Sequence, residues 1–111
     1  MPYDQNLAEC IRTALKAHPG IVEKKMFGGV GFILHGNMAC GVQGNDLIVR
    51  VGVENNDSAL SRPFVRPFML MPGKPMAGWI LVAPAGIATD QDLQLWIEMG
   101  CAYASTLPEK K

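Results

Sequence analysis

Apolar residues recur along this chain with two different periods. In residues 4–18, Leu7, Ile11, Ala14, Leu15 and His18 fall on one face at helical spacing, with Gln5, Glu9, Arg12 and Lys16 opposite. That pattern predicts an amphipathic helix. Asp4 stands where an N-cap belongs. His18-Pro19-Gly20 stops the helix, because proline cannot continue the ladder and glycine suits the turn. His18 is read as a last-turn side chain interacting with free carbonyls.

Residues 21–25 lead into a stretch of shorter period, which predicts a meander of three strands at 26–34, 38–42 and 47–51. The connections His35-Gly36-Asn37 and Gln43-Gly44-Asn45-Asp46 hold residues that tolerate turn conformations. Leu47-Ile48-Val49-Arg50-Val51 is apolar on both faces apart from Arg50, which predicts a strand covered on both sides. Arg50 shares the face of Ile48, opposite Leu47, Val49 and Val51. A charge there needs water or a carboxylate, and Arg50 is read as half of a structural ion pair.

Residues 54–61 read as a short helix with Asn55, Asn56 and Asp57 as competing caps, ended by Arg62-Pro63. Residues 64–71 and 76–83 form a second antiparallel pair around Pro72-Gly73-Lys74-Pro75; Pro63, Pro67 and Pro75 favour a sheet edge there. The last helix opens at Thr89 as N-cap, with Asp92 at the capping-box position. Asp90 and Asp92 suit its positive end, and Lys110 and Lys111 follow the other end. Leu93, Trp96, Ile97, Gly100, Cys101 and Ala104 make its core stripe. Leu95, Met99 and Tyr103 make a second row, to pack on the first helix or on another subunit. Residues 107–111 are a fraying tail. Together these elements predict one α+β domain over residues 1–111: two layers, an antiparallel five-stranded sheet with helices, in the order α-β-β-β-α-β-β-α.

Met26-Phe27-Gly28-Gly29-Val30-Gly31 has the glycine density of a phosphate cradle. Such cradles open a helix, and Phe32-Ile33-Leu34 is strand-like. The block is therefore read as a bulge, a sharp twist or a close approach of another backbone, with a helix lying across the sheet as the cause.

The chain has 111 residues, 49% hydrophobic and 18% charged. So little charge leaves apolar surface to hide, which favours homo-oligomerisation or a protein partner. Ten basic and ten acidic residues balance, whereas nucleic-acid binders usually carry a positive excess. Cys10, Cys40 and Cys101 are odd in number and lack CxxC spacing, so they read as buried thiols of a cytoplasmic protein. No signal peptide or membrane span is expected.

The chain resembles the TfoX (Sxy) N-terminal domain family. The likeness rests on residues 25–31, the strand at 47–52 with Arg50, Arg66-Pro67-Phe68, residues 74–79 ending in Gly78-Trp79, and the acidic helix start Asp90-Gln91-Asp92. The resemblance implies the same helix and strand order and, in the founding members, a tie to regulation of genetic competence. Those regulators carry a C-terminal helical domain, which this chain is expected to lack.

No catalytic constellation is expected. His18 ends a helix, and His35 reads as an exposed turn residue. The metal-ligand spacings of known sites are absent from the sequence, and no cofactor is implied. The charge layout offers more. Arg62, Arg66 and Lys74 fall in an acid-free stretch between Ser58 and Thr89, and Lys24 and Lys25 precede the glycines. The candidate binding residues are Lys24, Lys25, Phe27, Gly28, Gly29, Arg50, Arg66, Lys74 and Trp79. The expected function is a non-enzymatic regulatory or protein-interaction module. The alternative is nucleic-acid or anionic-ligand binding on a basic and aromatic face; set against that face is a solvated rim pairing with the acidic last helix. A ligand pocket lined by Phe27, Arg50 and Trp79 is the third reading.

Overall fold

The computed structural model describes residues 4–18, 20–26, 29–71 and 74–107. Helix α1 (Gln5–Ala14) starts at Asp4, whose carboxylate accepts from the backbone N–H groups of Asn6 and Leu7 at 2.9 and 3.1 Å. It is shorter than expected: a 3₁₀ turn (Leu15–Ala17) follows, and His18 is already extended (φ −110°, ψ 96°). The physical reason is the proline after His18, which disfavours helical dihedrals in the residue before it. Pro19 itself lies outside the described residues.

Six strands form one antiparallel sheet: β1 (Ile21–Met26), β2 (Gly29–Leu34), β3 (Asn37–Gln43), β4 (Asp46–Arg50), β5 (Val65–Met71) and β6 (Lys74–Val82), in spatial order β1-β2-β3-β4-β6-β5. Five strands were expected. The difference lies in the glycine block, where the ladder runs from Ile21↔Leu34 to Met26↔Gly29. The chain thus reverses where one continuous strand over 26–34 was expected, and the lead-in at 21–25 is an edge strand. Phe27 and Gly28 lie outside the described residues, as do Pro72-Gly73 and the tail from Pro108. The β2–β3 connection is His35-Gly36, with φ of 51° and 84°; positive φ at both positions is what a two-residue hairpin loop requires.

A 3₁₀ turn (Val53–Asn55) and the short α2 (Asn56–Leu60) bridge β4 to β5. A second 3₁₀ turn (Pro84–Ile87) leads to α3 (Asp90–Ser105). Thr89 caps α3 by accepting from the Asp92 N–H at 3.1 Å. The buried residues of α3 are Leu93, Trp96, Ile97, Gly100, Cys101 and Ala104, the stripe read from the sequence. They pack with Leu7, Ala8, Ile11 and Leu15 of the first helical segment against Val30, Phe32, Cys40, Val42, Leu47, Val49, Ile80 and Val82. The second row of α3 divides: Leu95 is 49% exposed, whereas Met99 is partly buried against this core.

The opposite sheet face holds a smaller core of Met38, Ile48, Phe68 and Leu81, flanked by Ile33 and Trp79. Ile48 is only 1% exposed, and Leu47 and Val49 on the helix side are fully buried, so β4 is covered on both faces as expected. Phe68 is as buried as Ile48. The β5–β6 register shifts between Pro67 and Met69 and again before Met71, and β5 is an edge strand, where its proline is tolerated.

The close approach of helix to sheet lies elsewhere than expected. A Cβ on Gly29 would sit 1.8 Å from the Val42 carbonyl oxygen, a contact within the sheet. A Cβ on Gly100 would sit 2.4 Å from the Ala39 carbonyl oxygen. Gly100, on the helix, is what seats α3 on β3. Glycine to alanine inside a helix ordinarily stabilises by about 1 kcal/mol. Here Gly100→Ala should destabilise by about 1–3 kcal/mol, because α3 must lift from the sheet. Urea unfolding with a lower midpoint and unchanged slope is the expected result; a higher midpoint would refute this packing.

Candidate functional site

The candidate residues that the structure describes do not all share one surface. Lys24 and Lys25 are exposed on β1, and Arg66 is exposed on β5. These are the two edges of the sheet, five interstrand steps or about 24 Å apart. Arg66 is bound to Asp46 of β4. Lys74 is described by its backbone, which pairs with Met71. The expected pairing of basic residues with the acidic last helix takes another form. Arg62 stacks over Trp96 of α3 at 4.8 Å, while Arg12 of α1 binds Glu9 at 2.8 Å and Glu23 of β1 at 2.6 Å. The Arg12 guanidinium holds the Glu23 carboxyl below its ordinary range.

Of the pocket expected from Phe27, Arg50 and Trp79 near the glycine block, only Arg50 and Trp79 are among the described residues. Gly29 lies where Val30 pairs with Val42, near the Gln43↔Asp46 end of the sheet. Arg50 is at the far end of β4. Phe27 and Gly28 are outside the described residues.

Arg50 and Trp79 are brought together. They are paired across β4 and β6, so their side chains share a face. The Arg50 guanidinium carbon lies 5.0 Å from the Trp79 ring centroid and 5.5 Å from that of Tyr103 on α3. The expected ion pair is therefore replaced: among the described residues Arg50 meets no carboxylate, and two aromatic faces supply the negative potential. Stacking occupies the plane of a guanidinium and leaves its in-plane N–H donors for an acceptor.

Local backbone makes this stack. Gly52 has φ +90°, and a Cβ there would lie 2.5 Å from Tyr103. Gly78 has φ +88°, and a Cβ there would lie 3.0 Å from the Gly52 carbonyl carbon. The Gly78 carbonyl accepts from the N–H groups of Val51 and Gly52 at 2.8 and 3.1 Å. Asn56 accepts from the Gly78 N–H at 2.9 Å, and Asn55 donates to the Val51 carbonyl at 3.0 Å. These asparagines were read as helix caps, yet neither caps a helix with its side chain. Tyr103, Asn56 and Gly52 are the site residues that sequence reasoning missed. The signal available was the pair of glycines flanking Arg50 and Trp79.

Among the remaining reactive groups, His18 is engaged and Cys40 and Cys101 are enclosed. His18 Nε2 lies 3.0 Å from Glu98 Oε1 on α3, in place of the expected helix-end carbonyls. His35 is exposed, with its ring over Gly20, where a Cβ would meet it at 2.7 Å. Cys40 and Cys101 are buried, but Cys10 is exposed, against expectation. Burial pushes the Cys40 thiol far above its ordinary range. Burial, then the Glu98 charge, pushes Cys101 up to about 11. Among the described residues, no cluster of three or more His, Cys, Asp or Glu could hold a metal ion, and no helix is long and apolar enough to cross a membrane.

A six-stranded antiparallel sheet with its helices on one face, and a stacked arginine at one strand end, defines a small α+β module. Residues 13–104 match the TfoX N-terminal domain, and the chain belongs to that family. Among curated proteins and among solved structures nothing matches the chain.

Thiol accessibility checks this arrangement. With a chromogenic disulfide at pH 8, one thiol per folded chain should react promptly, and all three after unfolding. Fast reaction of two or three thiols in the folded protein would contradict the burial of Cys40 and Cys101.

Proposed function

We propose that this chain is a competence-regulator-like module that acts by docking a protein partner and carries out no catalysis. Family membership supports the regulatory part. The observation that carries the docking part is the Arg50 guanidinium, stacked on Trp79 and Tyr103 with no carboxylate among the described residues. A preorganised arginine of this kind binds a carboxylate at lower entropic cost than a free side chain does. Arginine and tryptophan are also the residue types that dominate binding energy at protein interfaces. In this reading an acidic side chain of the partner completes the ion pair that the fold leaves open. The buried, protonated Cys40 and Cys101 and the engaged His18 fit a protein without a nucleophile-base pair.

Lys24 and Lys25 lie on the sheet edge opposite Arg66, and that separation favours partner docking over the nucleic-acid reading.

The test compares wild type, Arg50→Ala and Arg50→Lys by in-cell crosslinking and mass spectrometry, with far-UV circular dichroism as the fold control. At least one protein should be captured by wild type and fall about tenfold or more with Arg50→Ala. Arg50→Lys should recover little of it, because an ammonium lacks the planar fork. The same set of captured proteins for all three chains would overturn the proposal.

A further inference from the structure

The outer surfaces of α1 and α3 enclose a cleft of about 640 Å³ lined by Cys10, Thr13, Ala14, Lys16, Asp90, Leu93 and Gln94. A shallower, mostly apolar depression shares Asp90 and Gln94 with it and runs on to Leu95 and Glu98. The two helices therefore present one continuous face, well away from the Arg50 stack. Its charged lining residues are Lys16, Asp90 and Glu98, and Glu98 is already engaged. Glu98 is bound by His18 and by Gln94 at 2.7 Å, and Glu9 by Arg12.

Lys16 and Asp90 are different. Both are exposed and line the same cleft. Among the described residues neither makes an ion pair, with the other or with any third group. An occupant that satisfied both would bring an anion to Lys16 and a cation to Asp90. A second copy of this chain, turned by a two-fold axis through the cleft, does so with the same two residues.

We propose that the α1–α3 face is the contact surface of a homodimer, in which Lys16 of each copy meets Asp90 of the other. A two-fold contact is self-complementary by construction: each cross-pair occurs twice. The neutral chain, with ten basic and ten acidic residues, sets up no long-range repulsion between copies. Leu95, 49% exposed, and the Ala14 and Leu93 floor of the cleft supply the apolar contact that charge pairs alone do not.

The charge pair makes the surface testable without disturbing the core. Sedimentation velocity from micromolar to about millimolar concentration should show wild type passing to a species of twice the 12.0 kDa chain mass. Lys16→Glu alone places Glu against Asp90 twice, and Asp90→Lys alone places Lys against Lys16 twice. Each should associate about tenfold more weakly. An equimolar mixture of the two should associate like wild type, because both cross-pairs then match. A bismaleimide should crosslink the dimer through Cys10, the exposed thiol, and Cys10→Ser should abolish the crosslink. A monomer over the whole range, single variants that associate like wild type, or a mixture no stronger than its components would each overturn the proposal. Failure here leaves the Arg50 docking reading standing, since that surface is on β4, β6 and the far end of α3.

Discussion

The contact on which the architecture turns is the seat of α3 on the sheet, at Gly100 over the Ala39 carbonyl. With no side chain on Gly100, helix backbone and sheet backbone meet directly. Trp96, Ile97, Cys101 and Ala104 on either side then reach the face of β3 and β4. A closely seated helix buries more of its stripe, and burial of apolar area is the main stabilising term for so small a domain. It also encloses Cys40 and Cys101, which keeps both thiols protonated and unreactive.

The same seating positions the far end of α3. Tyr103 lies three residues beyond Gly100, close to one helical turn, and falls against Gly52 and over Arg50. The stack thus needs three separate conditions: the strand end of β4, the Gly78 turn of β6 held by Asn56, and the helix at its close distance. Together they hold a guanidinium in place. Arginine at a partly covered strand end usually finds a carboxylate. Here aromatic faces take that place, and the charge remains available to a partner.

Much of this was legible in the chain. The stripe of α3, the Asp4 and Thr89 caps and the double coverage of β4 follow from side-chain spacing alone, because helix and strand periods decide which residues share a face. The reversal after Met26 was not legible. Val30, Phe32 and Leu34 alternate cleanly into β2, and nothing in apolar spacing marks the strand before them, whose outward residues include Glu23, Lys24 and Lys25. The candidate site was read less well. Lys24, Lys25 and Arg66 are close in character but lie on opposite sheet edges, and strand order is a property of the whole sheet. Arg50 and Trp79 did meet, for the reason that β4 pairs with β6.

The sequence by itself determined the periodicities, the caps, the turn residues and an even charge balance, since each depends on neighbours a few positions away. Only the tertiary structure decided that six strands form the sheet, that Tyr103 comes over Arg50, and that Lys16 and Asp90 share a cleft without meeting. Those outcomes depend on strand order and on the distance at which a helix packs, and both are set by contacts between residues far apart in the chain.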